Sequence, residues 1–158
     1  MRLMEATPAM AGLLAGIHAD AFPPHQAWDA SFIARILDLP GNMGLLAETA
    51  EGPGGFILYS LAADEGEILT VAVSPRLRRR GIGRRLLSGA LAELGMHGAR
   101  RVFLDVDAEN RAAVALYEQA GFSRVGLRKG YYGQPGGARR DALMLAYVFG
   151  EGCGCEGT

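Results

Sequence analysis

The stretch Glu67–Leu94 reads E-I-L-T-V-A-V-S-P-R-L-R-R-R-G-I-G-R-R-L-L-S-G-A-L-A-E-L, and it decides the fold. Its first part is apolar and β-branched and stops at Ser74-Pro75, which reads as a strand. An arginine-dense loop follows, with glycines at Gly81 and Gly83. Leu86, Leu87, Ala90, Leu91 and Leu94 then recur at helical spacing. The stretch is therefore strand, Gly-rich turn, helix. Amides turned outward at a helix start form an anion nest, and the helix dipole reinforces it. Six of the fifteen arginines fall between Arg76 and Arg85, a density that a merely solvated turn does not need. Guanidinium groups offer charge-assisted donors to phosphate oxygens. The stretch thus points to a phosphate-bearing ligand at the mouth of a strand.

Two familiar phosphate-binding patterns fail. A dinucleotide fingerprint needs a third glycine where Leu86 stands, and an ATP P-loop needs lysine and a hydroxyl where Arg84 and Arg85 stand. Arg78-x-x-Gly81-x-Gly83, led in by V-A-V-S-P, instead resembles the R/Q-x-x-G-x-G/A loop of the GNAT acetyltransferase superfamily. In that family the loop holds the pyrophosphate of acetyl-CoA.

With 158 residues, the chain suits one domain, expected over 1–149, with a disordered Gly/Cys tail over 150–158. A hydrophobic content of 49% supplies a core without disulfide or metal. Net charge is −1, so the arginine cluster is local, and nucleic-acid binding is not expected. Cys153 and Cys155 form C-G-C, too close for an easy disulfide and lacking the second half of a zinc site. Glu5, Pro8, His18 and Asp20 interrupt the apolar N-terminus, which breaks any signal-peptide or membrane-span pattern. A cytoplasmic monomer is the expectation.

Arg2–Ala6 reads as a short strand. Pro8 opens a first helix to about Ala21, with Leu13, Leu14, Ile17, His18 and Ala21 near one face. Pro23-Pro24 ends it, and Trp28–Leu39 reads as a second helix with Phe32, Ile33, Ile36 and Leu37 inward. His18 is expected at the surface. Gly44–Thr49 and Gly55–Ala62 are strands joined by a turn at Glu51-Gly52-Pro53-Gly54. Asp64-Glu65-Gly66 turns into the central strand. Arg101–Val106 is the next strand, Arg111–Ala120 a helix opened by Asn110 and closed by Gly121. Phe122–Leu127 and Ala142–Phe149 are the last strands, joined by a Gly-rich loop from Gly130. The order β-α-α-β-β-β-α-β-α-β-β predicts an α/β (α+β) architecture: a mixed, mostly antiparallel central sheet with helices on both faces. That is the topology of the GNAT fold.

In V-F-L-D-V-D, alternation puts Val102, Leu104 and Val106 on one face and Phe103, Asp105 and Asp107 on the other. A carboxylate within an apolar strand needs a partner or a task. D-V-D-A-E-N-R-A-A-V-A-L-Y-E-Q-A-G-F resembles a signature of GNAT N-terminal acetyltransferases, as does R-K-G-Y-Y. The resemblance is greatest to the bacterial branch that acetylates the N-terminal alanine of a small-subunit ribosomal protein. It implies acetyl-CoA as co-substrate and a ribosomal-protein N-terminus as acceptor. It implies Asp105 as general base, Tyr117 as general acid and Asn110 on the pantetheine arm. Val71, Ala72 and Val73 match the strand whose backbone pairs with that arm, and Arg78, Arg79, Arg80, Gly81, Ile82, Gly83 and Arg84 match the pyrophosphate loop. Trp28, Glu67, Tyr131 and Tyr132 are expected on the acceptor side, and Glu67 is a rival base. That branch has Glu where this chain has Asp105, one methylene shorter, so proton transfer through a water is expected. Two other readings stand beside this one: a GNAT acting on a small amine or lysine side chain, and a non-catalytic acyl-CoA sensor.

Overall fold

The computed structural model describes residues 1–132 and 140–150, residues 131 and 132 by their backbone. In chain order the elements are β1 (Arg2–Glu5), a 3-10 turn (Pro8–Met10), α1 (Ala11–Ala21) and α2 (Ala30–Asp38). Then come β2 (Asn42–Thr49), β3 (Gly52–Ala62), β4 (Glu65–Val73) and a second 3-10 turn (Pro75–Leu77). They are followed by α3 (Ile82–Met96), β5 (Arg101–Asp107), α4 (Arg111–Gln119), β6 (Ser123–Tyr132) and β7 (Arg140–Val148). The strands form one mixed sheet in the order β1-β2-β3-β4-β5-β7-β6, and the element order is the one the sequence predicts. No described helix is long and apolar enough to cross a membrane.

The chain divides into two compact units, Met1–Ser60 with Ile68–Ala92, and Leu61–Glu67 with Glu93 onward. In the first, β1 and β2 pair antiparallel from Arg2↔Glu48 to Glu5↔Leu45. β2 and β3 do so from Asn42↔Ser60 to Thr49↔Gly52, with a register shift at Ala47/Glu48. Pro53 meets Glu48 beside that shift, where a residue without an N–H costs the ladder least. The core gathers Leu14 and Ile17 of α1, Ile33 of α2, and Leu46, Phe56, Leu58 and Ala72 of the strands. Gly55 is demanded by packing. A Cβ there would lie 2.6 Å from the Ala72 carbonyl oxygen and 3.2 Å from Val73 Cα. Along α3, Ile82, Leu86, Leu87, Ala90, Leu91 and Leu94 are buried, the stripe expected from their spacing.

In the second unit β4 and β5 pair parallel at Glu65↔Arg101, Gly66↔Val102 and Glu67↔Phe103. β5 pairs antiparallel with β7 from Arg101↔Val148 to Asp107↔Ala142. β7 then pairs with β6, with shifts at Arg124/Gly126 and Arg128/Tyr132. Val102, Leu104 and Val106 are buried, as are Val114, Tyr117, Phe122 and Leu145. Tyr117 meets the edge of Phe122, Phe122 meets Tyr147, and Tyr147 meets Phe149, with centroids 5.8, 5.6 and 5.0 Å apart.

Several expected boundaries move for local reasons. α2 begins at Ala30 rather than Trp28, because Asp29 caps it and accepts the Phe32 N–H at 2.8 Å. The β2–β3 turn is tighter than the expected 51–54, since Gly52, Pro53 and Gly54 already belong to β3. β6 runs on to Tyr132, which takes Arg140 as partner, so residues 130–132 are strand rather than loop. The shift at Arg128/Tyr132 absorbs Gly130. Phe32, expected inward, is 37% exposed, and Leu13, placed near one face with Leu14 and Ile17, is 45% exposed. Of residues 150–158, expected as a disordered tail, 151–158 lie outside the described residues.

Candidate active site

In the first unit, the second 3-10 turn and the loop after it lead into α3. Arg79 has φ 66 and Gly81 φ 78, so two of three consecutive residues are left-handed. For arginine that conformation is strained, and strain of this kind gathers at functional sites. A Cβ at Gly81 would meet nothing within 4 Å; it is the left-handed backbone that calls for glycine, and the space above it is open. The Arg85 N–H donates to the Gly81 carbonyl at 3.0 Å. The N–H groups of Ile82, Gly83 and Arg84 precede that bond and belong to the helix's unpaired first turn. All arginines from Arg76 to Arg85 are exposed. Arg80 Nη1 donates to both Glu51 oxygens at 2.8 and 2.7 Å. That hydrogen bond, then the Arg80 charge, holds the Glu51 carboxyl below its ordinary range. Arg78 Nη2 donates to the Ala21 carbonyl at 3.5 Å. These observations fit a diphosphate: open space, a helix start and cations at the rim.

Along β4, Gly66, Ile68, Thr70 and Ala72 are buried while Leu69, Val71 and Val73 are half-buried and Glu67 is exposed. Val71 and Val73 therefore share the more open face of the strand with Glu67.

In the second unit, register assembles a charged face. Glu67 is opposite Phe103, and Asp105 and Asp107 follow on the same side of β5. Asp105 pairs with Met144 and Asp107 with Ala142, whose other neighbour is Arg128 of β6. Arg128 Nε lies 3.4 Å from Met144 Sδ. Arg140 Nη1 donates to Asp107 Oδ2 at 3.0 Å, and Arg140 Nε lies 3.5 Å from Glu109 Oε1. The Glu67 carboxyl is raised above its ordinary range by loss of hydration first and by the Asp105 charge second, with Arg128 opposing. Although Glu67 is exposed as a residue, its carboxyl is crowded enough to feel that loss. A carboxylate with raised proton affinity on the same face as a second one is a candidate for proton transfer.

Asn110 caps α4, its Oδ1 accepting the Ala113 N–H at 3.2 Å. Tyr117 is buried within α4 against Phe122. The side chains of Tyr131 and Tyr132 lie outside the described residues.

His18 corrects the sequence reading. It is 1% exposed rather than at the surface. Its Nδ1 accepts the Trp28 backbone N–H at 3.1 Å, and its Nε2 lies 3.1 Å from Thr70 Oγ1. The ring stacks on Phe22 at 4.2 Å and on Trp28 at 5.1 Å. Burial pulls its pKa down to about 4, so the ring is neutral at pH 7. Both ring nitrogens are satisfied inside the protein, and this makes the burial tolerable.

Sequence reading missed Arg128, the Arg140 bridge to Asp107, and the His18–Thr70 contact. Only the last left a trace. Thr70 is a hydroxyl inside an apolar strand, and a buried hydroxyl calls for a partner.

Residues 9–122 match the model of the family described as Acetyltransferase (GNAT) family. The ribosomal protein bS18-alanine N-acetyltransferase of Escherichia coli strain K12 is 38% identical over 91 residues, 58% of this chain and 61% of that enzyme. The chain thus matches about three-fifths of the length of that curated relative. The enzyme of the same name from Salmonella typhimurium is 38% identical over 105 residues, 66% of this chain and 69% of that one. The crystal structure of the ribosomal-protein-S18-alanine N-acetyltransferase from Escherichia coli superposes with a TM-score of 0.85 and 26% identity. That superposition covers 93% of this chain and 92% of the other.

Proposed function

Since the chain belongs to the acetyltransferase (GNAT) family, we propose that it transfers an acetyl group from acetyl-CoA to a protein N-terminal α-amine, the alanine of a ribosomal protein being the favoured acceptor. The observation that carries this reading is the 38% identity to enzymes named for that reaction, joined to a TM-score of 0.85 with one of them.

Acetyl-CoA, when bound, supplies a thioester carbonyl open to a neutral amine. In this reading Arg78 to Arg84 hold the diphosphate, the first-turn amides of α3 supplying part of the grip. Val71, Ala72 and Val73 offer backbone to the pantetheine arm in the manner of strand addition, and Asn110 contacts it. An N-terminal amine is mostly protonated near neutral pH. Glu67 attracts that cation. Asp105 takes its proton through one water, its carboxyl being one methylene short of direct contact. Tyr117 returns a proton to the departing thiolate. Trp28, Tyr131 and Tyr132 shape the acceptor side.

Acetyl transfer to peptides starting Ala-Arg-Tyr, Met-Lys and Ser-Glu, beside a panel of polyamines, tests the assignment. Turnover is expected to be greatest with the alanine peptide. Efficient acetylation of spermidine with no peptide modified would replace this acceptor with a small amine.

A further inference from the structure

The connection from α1 to α2, Phe22–Asp29, contains Pro23-Pro24 and the chain's one tryptophan. Its own bonds are turn contacts, Gln26 N–H to the Pro23 carbonyl at 2.9 Å and Ala27 N–H to the Pro24 carbonyl at 3.4 Å. Beside the packing of Phe22 and Trp28 on the core, a hydrogen-bonded bridge through His18 of α1 links it to the sheet. The Trp28 N–H is a donor, so His18 Nδ1 must be the bare, accepting nitrogen. The neutral ring then carries its hydrogen on Nε2, which donates to Thr70 Oγ1. Thr70 precedes the Val71–Val73 run on β4. The ring is held flat between Phe22 and Trp28, with interplanar angles of 17° and 14°, and Phe56 closes a third side at 6.1 Å. Trp28 itself stays half-buried, with Phe32 edge-on at 4.9 Å.

We propose that His18 is a positioning residue for the acceptor: it grips the Trp28 backbone with one nitrogen and Thr70 of β4 with the other, and so sets where the Trp28 indole stands. This rests on the acetyltransferase reading and on Trp28 facing the acceptor. A merely structural histidine would need only bulk and satisfied nitrogens. Here the two ring nitrogens bridge two segments far apart in sequence, so each can be removed separately.

Asparagine reproduces the reach of Nδ1 and glutamine that of Nε2, while both lose the stacked ring. His18→Asn keeps an acceptor for the Trp28 N–H, and His18→Gln does not. Steady-state kinetics with the alanine peptide should show KM for peptide raised about tenfold in His18→Gln, the worth of one positioning hydrogen bond. In His18→Asn, which keeps the Trp28 bond but gives up the one to Thr70, it should rise by a smaller factor, and KM for acetyl-CoA should hold in both. Acrylamide quenching of Trp28 fluorescence reads position without activity. His18→Gln should be quenched more than His18→Asn. Equal peptide KM values in the two variants, or an equal rise in KM for acetyl-CoA, would overturn the proposal. If the parent protein acetylates no peptide, the functional reading fails, and the quenching comparison alone decides the positioning claim. Thr70→Val serves where a His18 variant does not fold; unchanged Trp28 quenching in that protein would also overturn the proposal.

Discussion

Glu67 and Asp105 stand on one face of the β4–β5 pair, and the Asp105 charge acts on the Glu67 carboxyl. Glu67 takes Phe103 as its register partner, and Asp105 is the next residue of β5 on that side. The Asp105 charge adds to lost hydration in raising the Glu67 carboxyl, and Arg128 on β6 works against both. Substitution of Asp105 should therefore be read at Glu67.

Asp105→Asn should lower kcat by about a hundredfold to ten-thousandfold, the usual cost of a removed base, while acetyl-CoA affinity by calorimetry is kept. The loss should shrink as pH rises above the amine's own pKa, where the acceptor arrives neutral. Asp105→Glu should stay active. Full activity in Asp105→Asn with collapse in Glu67→Gln would move the base to Glu67.

The Glu67 carboxyl should titrate lower in Asp105→Asn and higher in Arg128→Met, measured by carboxyl-carbon NMR. A raised folded pKa favours the protonated form in the native state. Its contribution to stability is present below the unfolded pKa and is lost as pH rises through the folded one. Glu67→Gln should therefore stabilise the protein more at pH 7 than at pH 4, judged by urea midpoints.

His18 gives the opposite slope. Its folded pKa is about 4 against an ordinary 6.5, so between those values the unfolded chain binds the extra proton. Stability should rise with pH across that window and be complete above it, a span of the order of 3 kcal/mol. Chemical denaturation from pH 4 to 7 should show the slope in the parent and a weaker one in His18→Asn.

Gly83→Val places a branched side chain in the first turn of α3, beside the open space at Gly81. Acetyl-CoA affinity should fall strongly with the thermal midpoint preserved. Unchanged calorimetric affinity in the folded variant would remove the diphosphate from this loop.

Tyr117→Phe removes only a hydroxyl from a buried ring whose edge contact with Phe122 survives. Turnover should slow while the near-ultraviolet dichroism and the melting midpoint stay close to the parent values. Equal turnover would deny Tyr117 the proton-donor role.

Much of this protein is written in local pattern. The alternation in V-F-L-D-V-D sorts Val102, Leu104 and Val106 from Phe103, Asp105 and Asp107, because strand geometry turns every second side chain to the same face. The stripe on α3 and the left-handed Gly81 are equally local, since helix period and glycine's missing Cβ act within a few residues. The element order needed nothing more. Register and burial are different, because they depend on which distant segments meet. That Arg128 comes near Glu67 follows from three successive strand pairings. That His18 of α1 is a buried bridge rather than a surface residue follows from Thr70 arriving on β4 to complete its second hydrogen bond. A histidine's cost of burial is set by its partners, and partners supplied by chain folding leave no spacing in the sequence to read.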